Sequence, residues 1–254
     1  MTSRSSWNAR NSDVAWAKFD PIAYVDHNYR DMQEVDAEIL CIVRDHFADH
    51  FRTTDTTGPV SGIDVGAGAN LYPALAMLPW CDEITLLEYS PANVSYLKSQ
   101  VAYYDPNWDQ FWDVLREHEA YRALGMDPRE RFGLAVEVKE GNLFDLARHE
   151  GRWSLGTMFF VAESMTSSHQ EFRLGVERFL RALTPGAPFA AAFMEHSKGL
   201  GVGEYFFPAC DVGEPEVKAS LDAFATDVTV VRPESHAKVR DGYSGMILAC
   251  GRRR

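Results

Sequence analysis

Gly66 and Gly68 follow an apolar-rich run at 60–65 that also contains Asp64. Glu88 closes a second apolar run, 84–87, about 20 residues later. In this order these residue types can hold a nucleoside. Glycine lets the chain turn tightly and approach a ligand closely, and a carboxylate at the end of the next strand accepts from ribose hydroxyls. The plainer alternative is a strand-to-helix turn that binds nothing.

Leu71 narrows the chemistry. A dinucleotide fingerprint reads G-x-G-x-x-G, and here the six residues are Gly66-Ala67-Gly68-Ala69-Asn70-Leu71. The pyrophosphate of NAD or FAD sits on a helix N-terminus, and the third glycine brings that helix close to the strand. A cofactor without phosphates needs neither feature. S-adenosylmethionine (SAM), an adenosine with a sulfonium and an amino-acid tail, is such a cofactor. Asp64, two residues before the first glycine, suits the ammonium group of that tail. A nucleotide-dependent oxidoreductase would need phosphate contacts at this loop, and Leu71 argues against it.

These residues need strands and helices to position them, and periodicity supplies both. Strands are expected at 60–65, 84–87, 134–138, 157–162, 189–194, 226–231 and 245–250. Helices are expected after Leu71, at 33–51, at 91–101 with Ser90 as N-cap, at 172–183 and at 214–225. Asp145 is expected to cap a further helix. Between the second helix and third strand lies an insertion, 103–132, in which Trp108, Phe111, Trp112 and Leu115 have amphipathic helical spacing. Residues 14–30 carry Trp16, Phe19, Tyr24, His27 and Tyr29 and predict a short helix or lid, whereas 1–13 read as disordered. Strands alternating with helices predict an α/β fold with a doubly wound, mostly parallel sheet. With no internal repeat, one domain over 1–254 is expected, comprising an N-terminal helical lid region at 1–52 and the insertion.

Composition bounds the partners. The 254 residues are 46% hydrophobic, enough for a sizeable core, and carry 37 acidic against 25 basic side chains for a net charge of −12. That balance argues against nucleic acid, whose phosphates require clustered Lys and Arg. The run Arg252-Arg253-Arg254 reads as a solvated tail. Four scattered cysteines without CxxC spacing fit a reducing cytoplasm, and the N-terminus lacks the apolar core of a signal peptide. No apolar stretch reaches the ~18 residues of a membrane helix. His46 and His50 stand four apart, a metal-compatible spacing, but without a third ligand they are expected to be surface histidines and no metal site is expected.

Three segments carry a resemblance. The stretch FDPIAYVDHNYRDM from Phe19, the core IDVGAGANLYPAL from Ile63 and EITLLEYSPANVSYL from Glu83 resemble the nicotinamide/phenylethanolamine/thioether methyltransferase family. Its members open with an FxPxxYLxxYY-like segment and read IDIGSGPTxYQLL at the glycine loop. The resemblance covers nearly the whole chain and implies a Rossmann-like class I methyltransferase with a seven-stranded sheet and SAM as cofactor. By position it implies that Tyr24 and Tyr29 are lid tyrosines over cofactor and substrate, that Gly66 and Gly68 form the cofactor loop, and that Tyr72 lies near the methionine end. Glu88 takes the ribose, with Tyr89 and Asn93 beside the adenosine, Leu143 flanking adenine and Val161 under the cofactor. Asn142 stands where the family usually has an aspartate for the adenine amino group, so its side-chain carbonyl would have to accept that hydrogen bond.

On the acceptor side the family places polar residues after the fifth strand, where this chain has Glu195 and His196, and the later Asp241 also aligns near acceptor contacts. The resemblance thus implies methyl transfer to a small nitrogen-containing metabolite, at an amine nitrogen or an indole-type ring carbon. Glu195, His196 or Asp241 would remove a proton. O- or S-methylation and a non-catalytic SAM-fold interaction protein are the alternatives. The expected partner is a small molecule, with no nucleic acid or membrane, and a homo-oligomer is left open.

Overall fold

Asp20 and Ser90 illustrate how locally the elements begin. The structure, a computed structural model, describes residues 9–54, 58–202, 204–234 and 242–254. The Asp20 carboxylate accepts from the amides of Ile22 and Ala23 at 3.0 Å and, with Pro21 in the first turn, starts α1 (Pro21–Asn28). Next, α2 (Glu34–Thr53) buries Ile39, Leu40, Val43 and Phe47 at helical spacing, together with Asp36 on the same face. The run before Gly66 forms β1 (Ser61–Val65), which leads through the glycine turn into α3 (Tyr72–Met77). Then β2 (Glu83–Glu88) feeds α4 (Pro91–Ala102), where the Ser90 hydroxyl accepts from the Asn93 amide as expected. The insertion contains α5 (Asp109–Leu115), α6 (Glu119–Arg122) and α7 (Pro128–Ala135). There follow β3 (Val136–Glu140), β4 (Leu155–Phe159), α8 (His169–Ala182) and β5 (Pro188–Glu195). A hairpin of β6 (Leu200–Val202) and β7 (Tyr205–Phe207) comes next, then α9 (Glu214–Leu221), β8 (Ala225–Val231) and β9 (Gly245–Arg253).

Seven of these strands form one sheet in the order β3-β2-β1-β4-β5-β9-β8, with β9 alone running opposite to the other six. One apolar layer joins Val43, Phe47, Leu75, Leu97 and Trp108 on one face, and the other joins Ile63, Val65, Phe172, Phe179 and Leu221. Chain order reverses between β1 and β4, so a crevice opens beyond the carboxyl ends of β1, β2 and β4. The N-terminal segment roofs that crevice. Ser90 Oγ donates to the Trp16 carbonyl at 2.8 Å, and Asn107 Nδ2 of the insertion donates to the Tyr29 carbonyl at 3.1 Å. Trp108 and Phe111 are wholly buried against Tyr29, so the insertion buttresses the roof.

Several sequence expectations shift. The third strand starts at Val136, two residues late, because α7 runs on to Ala135 and leaves Leu134 on the surface. The fourth ends at Phe159 because Phe160 has φ 60°, a left-handed conformation that breaks the strand. The late helix stops at Leu221, and the hairpin β6–β7 was not foreseen. Residues 9–13 are not disordered, since the Ala9 amide donates to Ser167 Oγ at 2.8 Å and the Asn11 amide to Glu171 at 2.9 Å. Asn142, not Asp145, caps the 3-10 turn that follows β3. His50 is no surface histidine, because α2 turns it inward, and burial lowers its pKa to about 4.

Candidate functional site

The glycine turn is shaped by what surrounds it. Gly66 has φ 66° and Gly68 φ 62°, and the amides of Gly66 and Ala67 both donate to the Leu87 carbonyl, at 2.7 and 3.2 Å. A Cβ on Gly66 would lie 2.6 Å from Val161 Cγ1, so only glycine fits beside the end of β4. Glu88 is held from both sides. Its Oε2 accepts from the Gly68 amide at 2.7 Å and its Oε1 from the Ser90 amide at 2.6 Å. Burial raises its pKa above that of an ordinary glutamate, against the pull of these amides.

From this turn a cavity of about 730 Å³ runs under the roof. One wall contains Glu88, Tyr89, Asn93, Asn142, Leu143 and Val161, with Gly66 and Gly68 at its floor. Asn93 Oδ1 is buried there without a partner, an acceptor that suits a ligand hydroxyl or amine. The other wall is aromatic. Trp16 stacks on Phe207 at 5.3 Å, Phe207 meets Phe19 at 5.2 Å, Phe19 meets Tyr24 at 5.1 Å, and Tyr24 meets Tyr29 at 5.7 Å. The Tyr24 and Tyr29 hydroxyls lie 3.5 Å apart. The residues present fit an adenosine cofactor with a small acceptor beside it: a turn only glycine can make, an acid fixed at the end of β2 and a buried orphan acceptor.

Four expected site residues stand off the cavity wall. Tyr72 is wholly buried behind Tyr29 and donates its hydroxyl to Asp36 Oδ1 at 3.4 Å. Asp64 lies within β1, 1% exposed, where its Oδ1 accepts from Thr157 Oγ1 at 2.8 Å. Glu195 is engaged by Arg232 and Ser244 at the β5–β9 margin, so the proton-removing role does not fit it. His196 adopts φ 50°, which swings its ring outward, where Nδ1 pairs with Asp211 at 2.7 Å and raises the imidazole pKa. Asp241 lies outside the described residues. Asn142 does reach the wall, but its carbonyl oxygen already accepts from the Phe144 amide at 3.0 Å, leaving one lone pair for an adenine amino group. An exposed histidine outside the cavity should be dispensable. His196→Ala is expected to keep cofactor affinity and turnover within about twofold, measured by calorimetry and initial rates; a tenfold loss of turnover would restore it to the chemistry.

Sequence reading missed several wall residues, among them Asp36, His27, Phe160 and Met194. Asp36 left a signal, because it shares the helical face of Ile39, Leu40, Val43 and Phe47, and an acid on an apolar face calls for a partner. Phe160 left none, since its position depends on a positive φ.

Asp64 also predicts a pH dependence. Burial, with Glu88 nearby, pushes its pKa up to about 8. The unfolded carboxyl releases its proton near pH 4 while the native one keeps it to about 8, so stability from this group falls as pH rises between those values, by up to ~1.4 kcal/mol per pH unit. Asp64→Asn should flatten the fall in urea-unfolding free energy between about pH 5 and 7.5, and parallel profiles for the two proteins would refute a protonated Asp64.

An open sheet of this strand order, with a glycine turn at its switch point and an acid ending β2, defines the Rossmann-like fold of class I SAM-dependent methyltransferases. The chain belongs to the NNMT/PNMT/TEMT family, whose profile matches residues 9–254. It is accordingly a SAM-dependent methyltransferase. Similar solved structures include a SAM-dependent methyltransferase from Methanosarcina mazei, with 13% identity, TM-score 0.54, and 78% of this chain and 94% of that one covered. Another is the CurJ carbon methyltransferase, with 12% identity, TM-score 0.56, and 95% of this chain and 61% of that one covered. At such identities the likeness concerns the fold alone. No curated protein matches the sequence. Among the described residues no helix is long and apolar enough to cross a membrane.

Proposed function

We propose that this methyltransferase acts on a small, flat, nitrogen-containing specialised metabolite, at an amine nitrogen or an indole-type ring carbon. The observation that carries this reading is the charge and texture of the cavity wall. Among the described residues it presents rings from Trp16, Phe19, Tyr24, Phe160 and Phe207, the exposed carboxylate of Glu34, and no lysine or arginine. Ring faces and a carboxylate both favour the positive charge that forms when a neutral amine or an indole carbon takes up a methyl group, and such a wall offers no cation to an acidic acceptor.

SAM, when bound, supplies a methyl group already activated on a sulfonium. The chain's task is then placement and exclusion of water. Gly66 and Gly68 admit the cofactor backbone, Glu88 and Asn93 offer acceptors to the ribose, and Leu143 and Val161 pack the base. The aromatic wall orients a flat acceptor, and orientation of this kind supplies at most ~7–11 kcal/mol of the barrier. A neutral amine or an indole carbon needs no strong base before attack, in keeping with a wall that lacks Glu195 and His196. We read 1–254 as one functional unit, in which 1–52 serves as a lid and 103–132 as its support.

The test is a screen of small amines, indoles, phenols and thiols for release of S-adenosylhomocysteine. Turnover of amines or indoles supports the reading; turnover confined to hydroxyls or thiols overturns it.

A further inference from the structure

We propose that Asp36, rather than Asp64, holds the α-ammonium group of the SAM methionine tail. The assignment rests on the cavity being the cofactor site, and three observations carry it.

The first is access. Asp36 lines the cavity from α2, whereas Asp64 lies behind the glycine turn and off the wall, with Oδ1 held by Thr157 and Oδ2 buried. The second is position along the cavity. Glu88 and Asn142, at the ends of β2 and β3, mark the adenosine side, so the tail extends toward the other side of the glycine turn. Tyr72 is the first residue of α3, immediately beyond that turn, and its hydroxyl donates to Asp36 Oδ1 at 3.4 Å, which puts Asp36 at the tail side. The third is charge. Asp36 sits in the first turn of α2, where the helix dipole favours an anion, and it is 3% exposed in an aromatic setting formed by Tyr29 and Tyr72. Burial pushes the Asp64 pKa up to about 8, which disfavours the charged form that an ammonium pairs with. Of the other wall carboxylates, Glu34 is exposed and Glu88 stands at the adenosine side.

Calorimetric titration with S-adenosylhomocysteine and with its deamino analogue, which keeps the thioether and carboxylate, tests the assignment. Wild type should bind the deamino analogue roughly 10- to 100-fold more weakly, the worth of one charge-assisted hydrogen bond. Asp36→Asn should lose a similar factor for S-adenosylhomocysteine and little more for the analogue, while Asp64→Asn stays within about twofold of wild type. Equal affinity of wild type for the two ligands overturns the proposal without any variant. So does an Asp36→Asn protein that keeps its affinity for S-adenosylhomocysteine, including one whose only defect is a raised acceptor KM, which would assign the acid to the acceptor. A variant that loses both ligands equally shows a structural role and overturns it too. Failure of wild type to bind S-adenosylhomocysteine would remove the cofactor site itself and the assignment with it.

Discussion

Glu88→Ala is expected to weaken SAM binding by roughly 10²- to 10⁴-fold. The estimate follows from two hydrogen bonds between a carboxylate and ribose hydroxyls, at about 1.5–3 kcal/mol each. The loss has a second source. Glu88 accepts from the Gly68 and Ser90 amides, so its removal unties the cofactor loop from the end of β2 while leaving the Leu87 carbonyl to hold Gly66 and Ala67. Glu88→Gln separates the two contributions. It retains one carbonyl oxygen for a ribose hydroxyl or a loop amide but offers an NH2 group where the other amide donates. The ranking wild type, then Gln, then Ala should appear in calorimetric dissociation constants. An alanine variant within threefold of wild type would mean that the ribose is held elsewhere.

Gly66→Ala should be strongly destabilising. A left-handed φ costs an L-residue about 1–2 kcal/mol, and a Cβ 2.6 Å from Val161 Cγ1 adds about 1–3 kcal/mol of overpacking. Together they amount to roughly 2–5 kcal/mol, or a fall in Tm of about 5–15 °C for a chain of this size. Two comparisons isolate the terms. Gly68→Ala has φ 62° but no atom nearer to its Cβ than 3.8 Å, so it should show the conformational cost alone. Adding Val161→Ala to Gly66→Ala should recover the packing share and no more. If Gly66→Ala and Gly68→Ala melt together, Val161 does not confine the turn.

The glycine turn and the acid that ends β2 were legible because their signals are short-range. A turn that needs positive φ demands glycine at Gly66 and Gly68, Ser90 caps the helix it immediately precedes, and the strand period puts Glu88 at the end of β2. The acceptor half misled for equally physical reasons. Glu195 and His196 follow the fifth strand in the expected order, yet strand pairing gives Glu195 to Arg232 and Ser244, and one positive φ turns His196 to solvent. Asp145 was the expected cap, and Asn142 at the strand end takes that role instead.

The order of strands and helices, the glycine turn and the acid that ends β2 were determined by the sequence itself, because each depends on neighbours within a few residues or on a period of two or 3.6. Which acids face the cavity was decided by tertiary structure. Asp64 is adjacent to the glycine turn in sequence, but the central strand carries it into the sheet, where burial pushes its pKa up to about 8. Asp36 comes from a helix far from that turn in sequence, and the packing of α2 against α3 and α5 brings its carboxylate to the wall. Burial and long-range packing set charge and access, and neither is a local property of the chain.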